Sequence, residues 1–133
     1  MAAHNEATVI GRTLDALLMG GEPDLEVIVV PNGCTDDTSE VARSRGVLVV
    51  DLDSAGKAAA LNAGDAVATT FPRIYLDADI IVPPGGINAI VGGLRSSGAL
   101  VAVPGRRLAL AGRPRVVVAY FNINSRLPVF RRG

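Results

Sequence analysis

The sequence has few of the features that mark secreted, membrane-spanning and nucleic-acid-binding proteins. Its single cysteine cannot form an internal disulfide, which fits a reducing compartment. The N-terminus lacks a charged segment followed by an apolar run, so it does not indicate a signal peptide. No apolar stretch approaches the roughly 18 residues of a membrane helix. Basic and acidic residues are equal in number, which argues against a nucleic acid partner. We expect a cytoplasmic protein, and leave peripheral attachment to the inner face of the membrane open.

The composition is that of one folded domain. The 133 residues suffice for one ordinary domain and are too few for two. With 49% hydrophobic and 20% charged residues, the chain can form a core, and disorder is not expected. We therefore treat residues 1–133 as a single domain, and as part of a larger one for the reasons given below.

Helical and strand-like segments alternate along the chain with short loops between them. The predicted helices cover residues 5–19, 37–45, 56–68 and 88–97, and the predicted strands cover residues 25–30, 47–50, 73–76 and 99–103. An apolar run at residues 116–121 fits either state. This alternation predicts an α/β fold with a mainly parallel sheet, in which the loops that follow the strands share one edge and bind the ligand there.

The carboxylates of Asp77 and Asp79 follow an apolar segment at positions i and i+2. In extended geometry both side chains project to the same side, and they repel each other unless a cation or protons neutralise them. Hard oxygen ligands at a strand end suit Mg²⁺ or Mn²⁺. The alternative is a turn before Pro83, since Asp-x-Asp pairs are frequent by chance.

Two further loop residues strengthen the prediction of an anion-binding edge. Lys57 follows Gly56 at the start of a predicted helix, where a cation is usually unfavourable unless it meets an anion. The segment is not a Walker P-loop, because Asp51 stands at the earlier glycine position and Ala58 replaces the Ser or Thr. Asn32 can both donate to and accept from a nucleobase edge, although an Asn-Gly turn is the simpler interpretation.

Four segments, taken in this order, resemble the family 2 glycosyltransferases of the GT-A fold: AHNE, VIVVPNGCTDDT, GKAAALNAG and IYLDADI. The resemblance covers roughly residues 2–85. It implies a Rossmann-like domain that binds a nucleoside-diphosphate sugar, with UDP as the expected nucleotide. The nucleotide-sugar-binding residues that it implies are Ala3, His4, Glu6, Asn32, Lys57 and Asp77, and the metal ligands are Asp79 and Asp77.

The sequence also departs from this family pattern. The family most often has Asp-Asp where this chain has Pro31-Asn32, which weakens the assignment of UDP. No Asp or Glu follows Asp79, so we find no candidate for the catalytic base that inverting members use. The family's first strand has no counterpart ahead of the first predicted helix. We therefore expect a piece of a larger protein, truncated at both ends, whose sheet a second copy completes.

Three functions stay open at this point. The first is a glycosyltransferase domain that transfers the sugar to an acceptor hydroxyl, with the acceptor unknown. The second is a non-catalytic nucleotide-sugar-binding remnant, which the missing base favours. The third is an unrelated doubly wound nucleotide-binding protein such as a nucleotidyltransferase, which the ordered set of motifs disfavours.

Overall fold

A computed structural model of the protein describes residues 1–20 and 24–97. This part of the chain forms three short strands and four helices. They are β1 (Ala2–Ala3), α1 (Ile10–Met19), β2 (Ile28–Pro31), α2 (Thr38–Arg43), β3 (Leu48–Val49), α3 (Lys57–Val67) and α4 (Gly86–Ser97), and they alternate as far as α3. The chain divides into two compact units, Met1–Ala89 and Ile90–Gly133. All three strands and the first three helices lie in the first unit.

The sheet is parallel, with its strands in the order β1-β2-β3. Ala2 pairs with Val30 of β2, and on its other side Ala2 forms a parallel bridge to Asp77. The segment at Asp77 therefore lies next to β1, and the neighbours across the sheet run β3, β2, β1 and Asp77. The strand order changes direction beside β1, which is the position where open α/β sheets bind their ligands.

Strand β2 is the central strand of the sheet, and both of its faces are covered. Val29 and Val30 are 0% and 1% exposed, and adjacent strand residues point to opposite faces. Val29 belongs to the core cluster that includes Ile10 and Leu14 of α1. On the other face Val30 lies against Gly64 of α3, where an added Cβ would be 3.2 Å from Val30 Cγ2. Burial of each valine contributes roughly 1.5–3 kcal/mol.

Helix α1 begins at Ile10, five residues later than the periodicity predicts. Asn5 has a φ of 54°, which lies in the left-handed region and cannot belong to a right-handed helix. The carbonyl of Glu6 then accepts from the amides of Val9 and Ile10, at 3.0 and 2.9 Å, so the helix begins only after a turn. From there Ile10, Leu14 and Leu17 are buried at helical spacing.

The two outer strand predictions differ from the structure. Sequence analysis found no strand ahead of the first helix, yet Ala2–Ala3 form β1, which two small residues cannot signal by periodicity. This removes the gap that a second copy was expected to fill, and the oligomeric state stays a prediction. In place of the strand predicted over residues 73–76 there is only the bridge at Asp77. The guanidinium of Arg73 there donates to the carbonyls of Asp65 and Ala68, at 3.0 and 3.1 Å.

Several predictions lie outside the described residues. These are the strand at 99–103 and the apolar run at 116–121. Because most of the second unit also lies outside the described residues, the single domain over residues 1–133 stays a prediction. Among the residues that the structure describes, no helix is long and apolar enough to cross a membrane.

Gly33 is a position where the fold requires glycine. Its φ is +58°, and an added Cβ would lie 2.5 Å from the backbone nitrogen of Ala55. We expect Gly33→Ala to lower the free energy of unfolding by much more than Gly46→Ala. Gly46 has a φ of +72° and nothing within 4 Å of its Cβ position, so its replacement costs only the backbone strain of about 1–2 kcal/mol. Urea denaturation measures both, and equal losses would contradict the role of the contact with Ala55.

Asp65 links α3 to the segment that leads to Asp77. Its carboxylate forms an ion pair with Arg73 and accepts from the Tyr75 hydroxyl at 2.8 Å. The Arg73 guanidinium, followed by that hydroxyl, holds the pKa of Asp65 below its ordinary value of 3.8.

A lowered folded-state pKa adds stability above the ordinary pKa, and this stability is lost as the pH falls through the folded-state value. We therefore expect Asp65→Asn to be less stable than wild type at pH 7, and the difference to shrink from about pH 4 downward. Thermal unfolding of both proteins between pH 7 and pH 2 measures this. A difference that stays constant down to pH 2 would show that the charge of Asp65 does not stabilise the fold.

Candidate functional site

An open cleft of about 440 Å³ lies at the carboxyl edge of the sheet. It is lined by Ala2, Ala3, His4, Glu6, Asn32, Ala55, Gly56, Lys57, Asp77, Ala78 and Asp79. These residues come from the segments that follow β1, β2 and β3 and from the turn at Asp77. Parallel strands bring these segments to one edge although they lie far apart in the sequence.

Every residue that sequence analysis assigned to the nucleotide sugar or the metal lines this one cleft. The structure therefore brings the predicted residues together, while their binding roles stay predictions. The lining residues that the sequence did not single out are Ala2, Ala55, Gly56 and Ala78. They are small and carry no reactive group, so no chemical pattern could have marked them, although Gly56 directly precedes the predicted Lys57.

The side-chain amide of Asn32 connects three segments beneath the cleft. Asn32 is 3% exposed. Its Nδ2 donates to the carbonyls of Ala3 and Val30, at 2.7 and 3.3 Å, and its Oδ1 accepts from the backbone amide of Gly56 at 2.9 Å. An aspartate could accept from Gly56 but could not donate to the two carbonyls. The amide that sequence analysis expected to face a nucleobase thus holds β1, β2 and the start of α3 in place.

His4 is the exposed polar side chain beside Asn32. Its Nδ1 lies 2.6 Å from the carbonyl oxygen of Asn32. Because a carbonyl oxygen only accepts, Nδ1 carries the hydrogen, and Nε2 of the neutral ring is left as an acceptor. The ring is therefore oriented by the backbone of the neighbouring strand end rather than free to rotate.

Hydrogen bonds between two loops fix the position of Glu6. The backbone amide of Glu6 donates to Thr38 Oγ1 at 2.8 Å, and that of Ala7 donates to Asp36 Oδ2 at 3.1 Å. Asp36 Oδ1 also accepts from the Thr38 amide at 3.1 Å. The Thr38 hydroxyl, with these amides, lowers the pKa of Asp36. Asp36 supplies the carboxylate at the start of α2, because the Asp37 side chain makes no capping hydrogen bond.

Lys57 and Asp77 form an ion pair across the cleft. Lys57 Nζ lies 2.6 Å from Asp77 Oδ1, and the two side chains are 65% and 48% exposed. Lys57 is the first residue of α3 and the only lysine in the sequence. A pair so exposed to solvent contributes about 0–1 kcal/mol to stability, so the pair matters more for the charge it places in the cleft.

The Asp77–Asp79 pair lies in a turn and not in an extended strand. The amide of Ile80 donates to the carbonyl of Asp77 at 3.2 Å, so the extended geometry assumed from the sequence is wrong. Ala78 between them is 4% exposed and belongs to the core cluster, whereas both carboxylates line the cleft. The buried alanine anchors the turn and leaves the two flanking acids at the surface.

The donor set suits a metal that is shared with a ligand. Among residues 1–20 and 24–97 no three His, Cys, Asp or Glu side chains come together as a metal site. Mg²⁺ and Mn²⁺ are nevertheless commonly held by one or two carboxylates together with phosphate oxygens and water. The Lys57 ammonium already stands beside Asp77 as a cation. Asp77 and Asp79 could hold a divalent metal only together with further oxygen ligands such as phosphate or water.

Cys34 does not line the cleft. Its Sγ accepts from the Asn5 amide at 3.4 Å. The basic cluster of Arg106, Arg107, Arg113 and Arg115 lies outside the described residues.

Comparison with known proteins identifies the family. The chain belongs to the glycosyl transferase family 2, whose family model matches residues 1–132. The small parallel sheet flanked by helices agrees with the Rossmann-like GT-A fold of that assignment. The resemblance carried by the four sequence segments is thereby confirmed at the level of the family.

Three curated relatives are glycosyltransferases or synthases from bacteria. The chain is 32% identical over 87 residues to the poly-beta-1,6-N-acetyl-D-glucosamine synthase of Staphylococcus epidermidis, covering 62% of this chain and 21% of that protein. It is 39% identical over 84 residues to the 4,4'-diaponeurosporenoate glycosyltransferase of Staphylococcus aureus, covering 59% and 22%. It is 35% identical over 100 residues to an uncharacterized glycosyltransferase of Mycobacterium tuberculosis, covering 75% and 45%.

The aligned part of this chain spans less than half the length of each of these relatives. No solved structure matches the chain significantly. The family is therefore established, and the activity, the donor, the acceptor and the metal are proposed below.

The Asn32 amide gives a direct test of how the cleft is built. We expect Asn32→Leu to remove all three side-chain hydrogen bonds and to leave Gly56 N–H without its partner, lowering the free energy of unfolding by roughly 1–3 kcal/mol. Asn32→Asp keeps the acceptor for Gly56 but places a carboxylate against two carbonyl oxygens. We expect it also to destabilise the protein, and less so at low pH, where the protonated acid can donate. Urea denaturation at pH 7 and pH 4 measures both variants, and wild-type stability of Asn32→Leu would contradict this role.

Proposed function

We propose that this domain binds a nucleoside-diphosphate sugar in the cleft, together with Mn²⁺ or Mg²⁺ at Asp79 and Asp77, and forms the donor half of a glycosyltransferase. The observation that carries the proposal is the convergence of two acids, one lysine and one oriented histidine on a single cleft. Membership of family 2 supplies the reaction class, and the residues supply the contacts.

We place the diphosphate beside Lys57 and the two acids, Asp77 and Asp79. The ammonium of Lys57 is at the N-terminus of α3, an 11-residue helix, where backbone amides and the helix dipole also favour an anion. Asp77 and Asp79 would hold the metal between the protein and the phosphate oxygens. The Asn32–Gly56 hydrogen bond fixes the backbone at the start of this helix, so the amides of the helix N-terminus are positioned before the ligand arrives.

We place the nucleoside beside Ala3, His4 and Glu6, which line the same cleft. The neutral ring of His4 presents an acceptor at Nε2 and a ring face, which suits any base that carries an N–H donor. UDP-sugar is the proposed donor because of the resemblance to family 2, since the histidine alone does not distinguish uracil from the other bases. Asn32 contributes by orienting His4, because the Nδ1 of His4 bonds to the backbone carbonyl of Asn32. The side-chain amide of Asn32 is already hydrogen-bonded within the protein.

The charges of the cleft suit departure of a nucleoside diphosphate. Breaking the bond between sugar and phosphate leaves negative charge on the diphosphate, and a bound divalent metal stabilises that charge as a Lewis acid. Lys57 adds a positive charge on the protein side. The acceptor hydroxyl must lose its proton to a base. No Asp or Glu follows Asp79 in the sequence, so we propose no later carboxylate of this sequence as the base.

A non-catalytic nucleotide-sugar-binding domain is the second candidate, and the same lack of a later carboxylate favours it. Assay of UDP-sugar hydrolysis and transfer with Mn²⁺, beside direct binding, separates the two. Turnover by the 133-residue chain supports the enzyme, and binding without turnover supports the binding domain for this chain.

Pairing with a second copy is a separate proposal that the structure does not support further, because β1 fills the expected gap in the sheet. Sedimentation at high concentration decides it, and a monomer would contradict it.

The metal assignment predicts a loss of binding on removal of one acid. We expect Asp79→Ala to abolish the Mn²⁺-dependent part of UDP binding, because the metal loses a carboxylate ligand. Isothermal titration calorimetry with and without Mn²⁺ measures it. Asp15→Ala is the matched control, since Asp15 is an exposed acid of α1 that pairs with Arg45 and does not line the cleft. Unchanged affinity of Asp79→Ala would overturn the metal assignment.

A further inference from the structure

In the protein without ligands, Lys57 supplies the positive charge beside Asp77. Its ammonium lies 2.6 Å from Asp77 Oδ1, one of the two acids proposed to bind the metal. Two cations at the same carboxylate oxygen repel each other. The ammonium and a divalent metal therefore compete for Asp77 unless Lys57 moves.

We propose that Lys57 exchanges partners when the donor binds: it neutralises Asp77 in the free protein and turns to the diphosphate when the metal enters. The inference rests on the proposed metal–diphosphate site and adds a role for Lys57 in deciding when that site forms. Metal alone would meet an occupied carboxylate, whereas metal together with a diphosphate gives Lys57 a new partner. The two would then bind better together than separately.

The surroundings of the pair permit this exchange. The side chains of Lys57 and Asp77 are 65% and 48% exposed, so the ion pair is weak and breaks readily. Lysine is a point charge on a flexible four-carbon chain and can turn without moving the backbone. The backbone on both sides is held, through the Asn32–Gly56 hydrogen bond and the bridge between Ala2 and Asp77.

The exchange predicts effects of opposite sign for a single substitution. Lys57→Met removes the charge and keeps a side chain of similar length. Mn²⁺ alone should then bind about two- to fivefold more tightly, because the competing exposed ion pair is gone. UDP in the presence of Mn²⁺ should bind roughly tenfold more weakly, because a charge-assisted contact to phosphate is lost. A lysine that only held the fold would lower both affinities.

The test measures Mn²⁺ binding to the full chain at low ionic strength by electron paramagnetic resonance of free Mn²⁺, without nucleotide and then with UDP. Lys57→Arg retains the charge and should bind Mn²⁺ as wild type does. Arg43→Met is the matched control, because it removes one charge from an exposed ion pair with Asp51 that does not line the cleft. It should leave both affinities unchanged.

A second readout uses the fact that Lys57 is the only lysine. Incorporation of ¹³C-lysine gives a single Cε signal in the NMR spectrum. In wild type we expect Mg²⁺ alone to move this signal only at high concentration, toward its position in Asp77→Asn. Mg²⁺ with UDP should move it at low concentration to a different position, which reports the contact with phosphate.

The outcomes separate the exchange from the proposed function. Tighter Mn²⁺ binding and weaker UDP binding by Lys57→Met support the exchange. Unchanged or weaker Mn²⁺ binding by that variant overturns it, and the proposed function survives if wild type still binds UDP with Mn²⁺. If wild type binds no Mn²⁺ with or without UDP, the metal site and the exchange are both overturned.

Discussion

The candidate site depends on one buried side chain, the amide of Asn32. It donates to the carbonyls of Ala3 and Val30 and accepts from Gly56, so one residue sets the spacing between β1, β2 and the start of α3. Buried polar groups are costly unless they are paired, and here both ends of the amide have partners. Without these bonds the start of α3, which carries Lys57, would lose its side-chain link to β1 and β2.

Much of the fold and of the site could be predicted from the sequence, because both depend on patterns that survive in one dimension. The apolar run around Val29 and Val30 predicts a strand with two covered faces, and both valines are buried. The alternation of strands and helices predicts that three separate segments, which carry Asn32, Lys57 and Asp77, meet at one edge of the sheet. These three residues line one cleft. The family assignment followed from the same segments and is confirmed by the match over residues 1–132.

What the sequence could not supply depends on contacts between distant residues. Two alanines carry no period, so β1 was missed, and it forms only because β2 and Asp77 lie on either side of it. The turn at Asp77 reflects burial of Ala78, which no local pattern marks. The hydrogen bond from Gly56 to the Asn32 amide and the Lys57–Asp77 ion pair each join residues at least 20 positions apart. These contacts change the proposed chemistry: Asn32 is proposed as a positioning residue, and Lys57 as a competitor of the proposed metal for Asp77.

The central claim is that a divalent metal and a diphosphate meet at the turn of Asp77 and Asp79. The most direct measurement is paramagnetic broadening of backbone amide signals when Mn²⁺ is added at substoichiometric amounts in the presence of UDP. We predict that the amide signals of Ala78, Asp79 and Lys57 are lost first, while those of α2 remain sharp. Broadening centred on Asp36 and Asp37, or no localised broadening in the described residues, would contradict it.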